Sequence, residues 1–132
     1  MKKQRKHKVQ PIVKTHYKEV TPYITKDGSE IRELMHPSVH GNKNQSLAEA
    51  IVAVGKETLL HKHMKTEELY HVLSGAGLMY LGGWEFTVNS GDTVLIELGL
   101  PHKIKNTGNE PLKILCACCP PYSHEDTVIL SG

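Results

Sequence analysis

Beyond Gly41, hydrophobic and polar residues alternate in short runs that are separated by turn-forming residues. Alternation with a period of two is typical of strands with one buried face, and regular short spacing is typical of antiparallel sandwiches and barrels. Only residues 45–52 show a weak helical period. The predicted strands are 47–54, 58–63, 69–73, 77–81, 84–88, 93–97, 103–105 and 112–118. The pattern therefore predicts an all-β fold, either a β-barrel or a jelly roll.

The segment before these strands has a weaker pattern. Residues 9–14 and 17–25 look extended, and 30–35 is a further predicted strand. Between them, the Lys-Asp-Gly-Ser sequence at 26–29 is a turn signal. Residues 36–45 are polar and rich in turn formers, which predicts a loop.

Length and charge limit the architecture and the partners. A chain of 132 residues with 39% hydrophobic and 23% charged residues is expected to form one globular domain. We divide it into a disordered basic tail at 1–8, an arm of strands at 9–40 and a β-barrel domain at 41–125. The tail holds five Lys or Arg and no acid. Because the net charge of the chain is +2, the remaining residues carry about −3 (2 − 5). We therefore expect no nucleic-acid partner.

Apolar runs and cysteines bear on location. The sequence contains no stretch of about 18 apolar residues, and its N-terminus lacks the apolar region of a secretory signal. Three cysteines fall within four residues, too close together for the long-loop disulfides of secreted domains. We expect a cytoplasmic protein without a membrane partner. Cys116 and Cys118 share a strand face as small apolar fillers; a zinc site, or a thiol near a pocket, is the alternative.

Three histidines and one glutamate have spacings that suit a metal site. His61 and His63 form a His-x-His pair in one predicted strand, Glu68 follows after a short turn, and His102 begins a later strand. Residues two apart on a strand share one face about 7 Å apart. Imidazole and carboxylate donors together suit Mn, Fe, Zn, Ni, Co or Cu. We predict that these four residues bind one such divalent metal, with Glu67 as the rival to Glu68.

Strand parity identifies the neighbours of these residues. Tyr70 shares a face with Glu68, whereas His71 falls on the opposite face and is left out of the site. Asn106 shares its face with His102. Parity therefore allows the strand that carries Glu68 and the strand that begins at His102 to turn these candidate ligands to the inside.

The two runs resemble the paired motifs of the cupin superfamily. The first motif is matched in full by GKETLLHKHMKTEELYHVLSG, which contains Gly75 as a turn glycine. The second is matched by GDTVLIELGLPHKIKN, except that Glu97 replaces the usual proline. The resemblance implies a double-stranded β-helix of the jelly-roll type with His61, His63, Glu68 and His102 as metal ligands. The segments IRELMHP and PPYSHEDT also resemble small single-domain cupins that are described as mannose-6-phosphate isomerase-like.

The resemblance is specific for the fold and much less so for the reaction. We predict a metal-dependent enzyme of the oxygenase or isomerase type that acts on a small oxygenated metabolite. Glu68 would be both a ligand and a base, and Tyr70 a proton donor or an orienting hydroxyl. The alternative is a non-catalytic cupin that binds a sugar or an organic acid in the barrel mouth.

Two further expectations concern partners and charge. We expect a homodimer that forms through the N-terminal strands at 9–35; the alternative is that this segment covers the open edge of its own barrel. Arg32 is the only arginine beyond the basic tail. We expect it to form a salt bridge with a nearby acid, although an anionic substrate is a second possible partner.

Overall fold

The computed structural model describes residues 12–130, which form two antiparallel sheets. Besides one 3-10 turn, Tyr17–Glu19, the chain has a single short helix, α1 (Pro37–His40), within that range. The eleven strands described are β1 (Tyr23–Ile24), β2 (Glu30–Met35), β3 (Ser46–Val52), β4 (His61–His63), β5 (Glu67–Ser74), β6 (Ala76–Leu81), β7 (Trp84–Asn89), β8 (Thr93–Ile96), β9 (His102–Asn106), β10 (Leu112–Cys119) and β11 (Thr127–Ile129). The predicted all-β class is confirmed.

The chain crosses repeatedly between the two sheets. One sheet has the strand order β1-β2-β3-β10-β5-β8, and the other has the order β11-β4-β9-β6-β7. Consecutive strands such as β4 and β5 therefore lie in different sheets and are brought face to face. This arrangement is a jelly roll, and it places β4 and β9 as neighbours in the second sheet, His61 opposite His102.

The core lies between the inner faces of the sheets. Alternate residues of β10 are buried, as a strand with one inward face requires. The largest fully buried side chains include Met79, Ile96, Ile104, Leu112 and Ile114. These apolar residues fill the barrel and leave one end to polar side chains.

The structure corrects two local predictions. Of the predicted strand 17–25, only Tyr23–Ile24 is a strand, because His16 caps the 3-10 turn at Tyr17–Glu19 through its side chain. The predicted loop 36–45 contains α1, which is capped by His36 and ends at Gly41 with φ 86°. The predicted strand 47–54 is confirmed as β3, whose alternate residues pack into the core despite the weak helical period of residues 45–52.

At the two ends of the chain, the predictions are in part outside the described residues and in part incomplete. The basic tail at 1–8 and the first residues of the predicted strand 9–14 lie outside the described residues. Residues 12–14 have no regular secondary structure. Strand β11 was not predicted, and it pairs with β4 in antiparallel register, Thr127 opposite His63.

The Gly82-Gly83 pair closes a two-residue hairpin. The two glycines have φ values of 55° and 95°, and they join β6 to β7 with Leu81 opposite Trp84. Positive φ at both central positions is the conformation of a type I′ turn, which matches the twist of paired strands. Within residues 12–130, no helix is long and apolar enough to cross a membrane.

Candidate metal centre

Three histidines meet at the polar end of the barrel. His61 and His63 both point inward from β4, and His102 lies across from His61 on β9. Their exposed fractions are only 2%, 3% and 0%. The ring centroids are 4.2 Å apart for His61 and His102, and 5.2–5.3 Å apart for the other two pairs. The predicted convergence of these three residues is therefore observed.

Backbone carbonyls orient two of the imidazole rings. Nδ1 of His61 lies 2.7 Å from the carbonyl oxygen of Leu59, and Nδ1 of His102 lies 3.0 Å from that of Leu100. A carbonyl can only accept a hydrogen bond, so each Nδ1 must carry the proton. In the neutral ring, Nε2 then keeps its lone pair and is available as a metal ligand.

The third ring is oriented by a threonine. Nδ1 of His63 lies 2.9 Å from the hydroxyl oxygen of Thr127 on β11. That hydroxyl donates its own proton to the carbonyl oxygen of Ser123 at 2.8 Å. It must therefore accept from His63, which again places the ring proton on Nδ1 and leaves Nε2 free.

Glu68 is the buried carboxylate beside the histidines. Its Oε1 lies 3.1 Å from Nε2 of His63 and 3.6 Å from Nε2 of His102. Glu67 is exposed on the opposite face of β5, so the structure brings Glu68 to the histidines and not its rival. Burial alone would raise the pKa of Glu68, but the adjacent His102 and His63 imidazoles lower that pKa to about 2.

Two buried atoms test whether a cation fits between these groups. Oε1 of Glu68 and Nε2 of His102 have no hydrogen-bond partner, although buried polar atoms nearly always have one. The donor atoms of His61, His63 and His102 lie within 4.8 Å of one another. Nitrogen and oxygen donors in this arrangement suit a divalent transition metal. The residues present therefore fit a metal.

Burial also keeps His61 neutral. Loss of solvent, together with the nearby His102, lowers the pKa of His61 to about 4. The carboxylate of Asp27 acts in the opposite direction and raises this pKa. A neutral imidazole is the form that binds a metal. The free Nε2 of His61 is thus available at neutral pH.

Tyr70 lies two residues after Glu68 on the inner face of β5. Its ring centroid is 6.0 Å from that of His102, and its side chain lines the cavity beside the histidines. Burial, followed by the charge of Glu68, raises the pKa of Tyr70 well above its ordinary value. The hydroxyl therefore remains protonated and can donate a hydrogen bond into the cavity.

The cavity is small and acidic. Its volume is about 40 Å³, which is space for a few water molecules or a very small ligand. Glu68, Asp27 and Glu33 line it, and no lysine or arginine does so among the described residues. Arg32 lies outside, 3.6 Å from Glu30 and 3.7 Å from Glu49, which confirms the predicted salt bridge.

The cysteines form no metal-binding group among residues 12–130. Cys116 and Cys118 are buried side chains that line the cavity, and Cys119 is exposed. Sγ of Cys118 lies 3.5 Å from Oε2 of Glu68 and donates to it. Burial raises the pKa of both buried thiols. They are therefore neutral wall residues, and one of them supports the candidate ligand Glu68.

Sequence reasoning missed three residues of this site, namely Asp27, Tyr122 and Thr127, all of which line the cavity. They come from the turn before β2 and from the segment around β11. The Asp-Gly pair of the turn and the PPYSHEDT segment were noted in the sequence, but neither pattern indicates a position beside the histidines. Only the packing of both segments over the barrel end reveals it.

Comparison with known proteins identifies the family. Residues 48–118, more than half of the chain, match the cupin domain model. The chain therefore belongs to the cupin family. The finer resemblance to mannose-6-phosphate isomerase-like cupins stays a prediction.

Several relatives share most of the chain. An uncharacterised protein from Methanocaldococcus jannaschii is 60% identical over 119 residues, which is 90% of this chain and 95% of that protein. An oxalate-binding protein from Thermotoga maritima is 31% identical over 86 residues, 65% of this chain and 71% of that protein. The crystal structure of a predicted oxalate decarboxylase from Thermotoga maritima has a TM-score of 0.70 at 27% identity, covering 80% and 96% of the two chains.

The hydrogen bond between Thr127 and His63 leads to a stability prediction. Thr127→Val removes the acceptor of a buried imidazole N–H, which we expect to cost about 1–3 kcal/mol of the free energy of unfolding. Thr127→Ser keeps the hydroxyl and is the control. Urea unfolding of metal-free protein, with chelator present, measures both variants. Equal free energies for valine and serine would show that the hydroxyl does not hold the ring.

Proposed function

We propose that this cupin binds one divalent transition metal through His61, His63, Glu68 and His102. The observation that carries the proposal is the convergence of three Nε2 atoms, each freed by a hydrogen bond at Nδ1, beside a carboxylate oxygen without a partner. A bound Mn, Fe, Zn, Ni, Co or Cu ion would act as a Lewis acid that polarises a ligand oxygen. The choice among these ions depends on availability as well as on the donors.

The proposed substrate is a small oxygenated metabolite, and the reaction is of the oxygenase or isomerase type. The small volume of the cavity supports a ligand of a few heavy atoms. Because no lysine or arginine lines the cavity among the described residues, an acidic substrate would depend on the metal for its charge partner. An oxalate-binding protein and a predicted oxalate decarboxylase among the relatives support a short organic acid.

Two residues have proposed roles at the substrate. Tyr70 would donate its hydroxyl proton in a hydrogen bond to a substrate oxygen, since its side chain is buried on the cavity wall next to His102. Glu68 would hold the metal, and its additional role as a base stays a prediction. Cys118 would keep the Glu68 carboxylate oriented through its S–H donor.

The alternative function is binding without chemistry. The name of the oxalate-binding protein, which is 31% identical to this chain, favours this alternative. The same metal and the same cavity would then capture a small acid and release it unchanged. Metal binding is common to both functions, so it is tested first.

Metal content tests the proposed centre. We expect elemental analysis to find one divalent ion per chain in the wild type, and we expect the ion to raise Tm by mass action. His102→Ala removes a ligand and should lose the ion. His71→Ala is the matched control, because His71 lies on the outer face of β5 and bonds to Thr93. Equal metal content in both variants would contradict the assigned ligands.

Substrate turnover distinguishes the proposed enzymatic function from the proposed binding function. We expect metal-loaded protein to convert a short hydroxy, keto or dicarboxylic acid, with oxygen consumption if the metal is redox-active. Tyr70→Phe should lower kcat by about 100-fold or more if the hydroxyl assists proton transfer. Tyr80→Phe, on β6 with a side chain outside the core, is the control. Recovery of every bound acid unchanged would instead support the binding function.

We also propose that the protein is a homodimer, formed through the outer face of the six-stranded sheet and not through the N-terminal strands at 9–35, because β2 pairs with β3 of its own chain. Leu69 and Leu73 on β5 and Leu95 on β8 are exposed by 43%, 43% and 47% on the outer face of the six-stranded sheet. Leu69 and Leu95 are directly opposite each other. Adjacent exposed leucines favour an interaction surface, and a patch of this kind can be covered by the same patch of a second copy.

Charge insertion tests this dimer. We expect Leu69→Glu with Leu95→Glu to convert the dimer to a monomer, because burial of two carboxylates against leucine is unfavourable. Val54→Glu, at an exposed residue outside the strands, is the control. Light scattering after size-exclusion chromatography gives the mass of each variant. A monomeric wild type at all concentrations would reject the homodimer.

A further inference from the structure

The turn that joins β1 to β2 lies directly over the histidine cluster. The backbone N–H of Leu59 donates to the carbonyl oxygen of Asp27 at 2.9 Å, which attaches the turn to the segment that enters β4. On the other side, Nζ of Lys26 donates to the carbonyl oxygens of His124 at 2.9 Å and Thr127 at 2.7 Å. The turn is therefore held from two sides next to His61.

Within this turn, the carboxylate of Asp27 has a defined orientation. Its Oδ1 accepts hydrogen bonds from the backbone N–H of Ser29 at 2.9 Å and from the Ser29 hydroxyl at 2.7 Å. Its Oδ2 lies 3.5 Å from Nε2 of His61, and the side chain is only 13% exposed. One oxygen thus anchors the group, and the other points toward the histidine cluster.

Oδ2 of Asp27 and Nε2 of His61 are both electron-pair donors. The hydrogen bond from Nδ1 of His61 to Leu59 leaves Nε2 of the neutral ring unprotonated. A carboxylate oxygen and a lone pair at 3.5 Å repel each other, and a cation between them would turn this repulsion into attraction. The same situation holds at Glu68, whose Oε1 faces Nε2 of His63 and of His102.

The distances agree with donors that share one ion. Two donors at about 2.1 Å from a metal are about 3.0 Å apart at a right angle and about 3.4 Å apart at the tetrahedral angle. The observed separations are 3.5 Å for Asp27 with His61, and 3.1 and 3.6 Å for Glu68 with His63 and His102. Asp27 therefore meets this distance criterion with one imidazole, that of His61, whereas Glu68 meets it with two.

We propose that Asp27 is a fifth protein ligand of the metal, supplied by the β1–β2 turn in addition to the three histidines and Glu68. The proposal rests on the metal-binding function proposed above. With five protein donors, one position of a six-coordinate ion would remain open, so a ligand would bind through a single oxygen. The two carboxylates would also balance the charge of the divalent ion.

The test compares Asp27→Asn with Glu30→Gln. The asparagine amide keeps an oxygen for the Ser29 donors but removes the negative charge that faces His61. Glu30 is the matched control, because it is an acid in the same hairpin whose side chain lies near Arg32 instead. Dissociation constants for Co²⁺ and Mn²⁺ are measured by competition with a chromophoric chelator, and the visible absorption of bound Co²⁺ reports its coordination.

We expect Asp27→Asn to weaken Co²⁺ and Mn²⁺ binding by about tenfold or more. The Co²⁺ absorption should become more intense as a ligand is lost, and Glu30→Gln should match the wild type in both measurements. Unchanged affinity and an unchanged spectrum in Asp27→Asn would overturn this proposal alone. A wild type that takes up neither ion would overturn the proposed function as well.

A second measurement does not depend on how well the variant folds. In a crystal structure of the Co²⁺-loaded wild type, we expect Oδ2 of Asp27 at about 2.0–2.2 Å from the ion, the distance of a carboxylate ligand. An ion held by His61, His63, Glu68 and His102, with Asp27 beyond bonding distance, would overturn the proposal.

Discussion

The site depends on hydrogen bonds at the rear of the imidazole rings, at Nδ1. The carbonyl groups of Leu59 and Leu100 and the hydroxyl of Thr127 each fix one ring proton on Nδ1. Because each proton is held there, every Nε2 presents a lone pair to the same small volume. Without these three acceptors, the rings could adopt the other tautomer and the cluster would lose its common donor face.

The same cluster shows what short-range sequence patterns predict and what they do not. The His-x-His alternation placed His61 and His63 on one strand face, and parity separated Glu68 from His71. These predictions succeed because a strand turns its side chains with a fixed period of two. Asp27 and Thr127 had no such signal, because their positions arise from tertiary contacts between the two ends of the described chain.

The elements that the sequence mispredicts have local physical causes. Residues 17–19 form a 3-10 turn because the ring nitrogen of His16 accepts from the N–H of Lys18, an alternative that strand-like composition does not reveal. Strand β11 has three residues and gains its stability from pairing with β4, so its own sequence gives little indication of it. Long alternating strands such as β10 were predicted well because burial sets their period.

The pairing of β11 with β4 has a consequence for biosynthesis. The acceptor for His63 lies at position 127, more than sixty positions after the histidine that it orients. A nascent chain that has emerged only as far as β9 already carries all three imidazoles, but the ring of His63 is not yet constrained. The donor face of the cluster would then be complete only after residue 127 has paired with β4, late in folding.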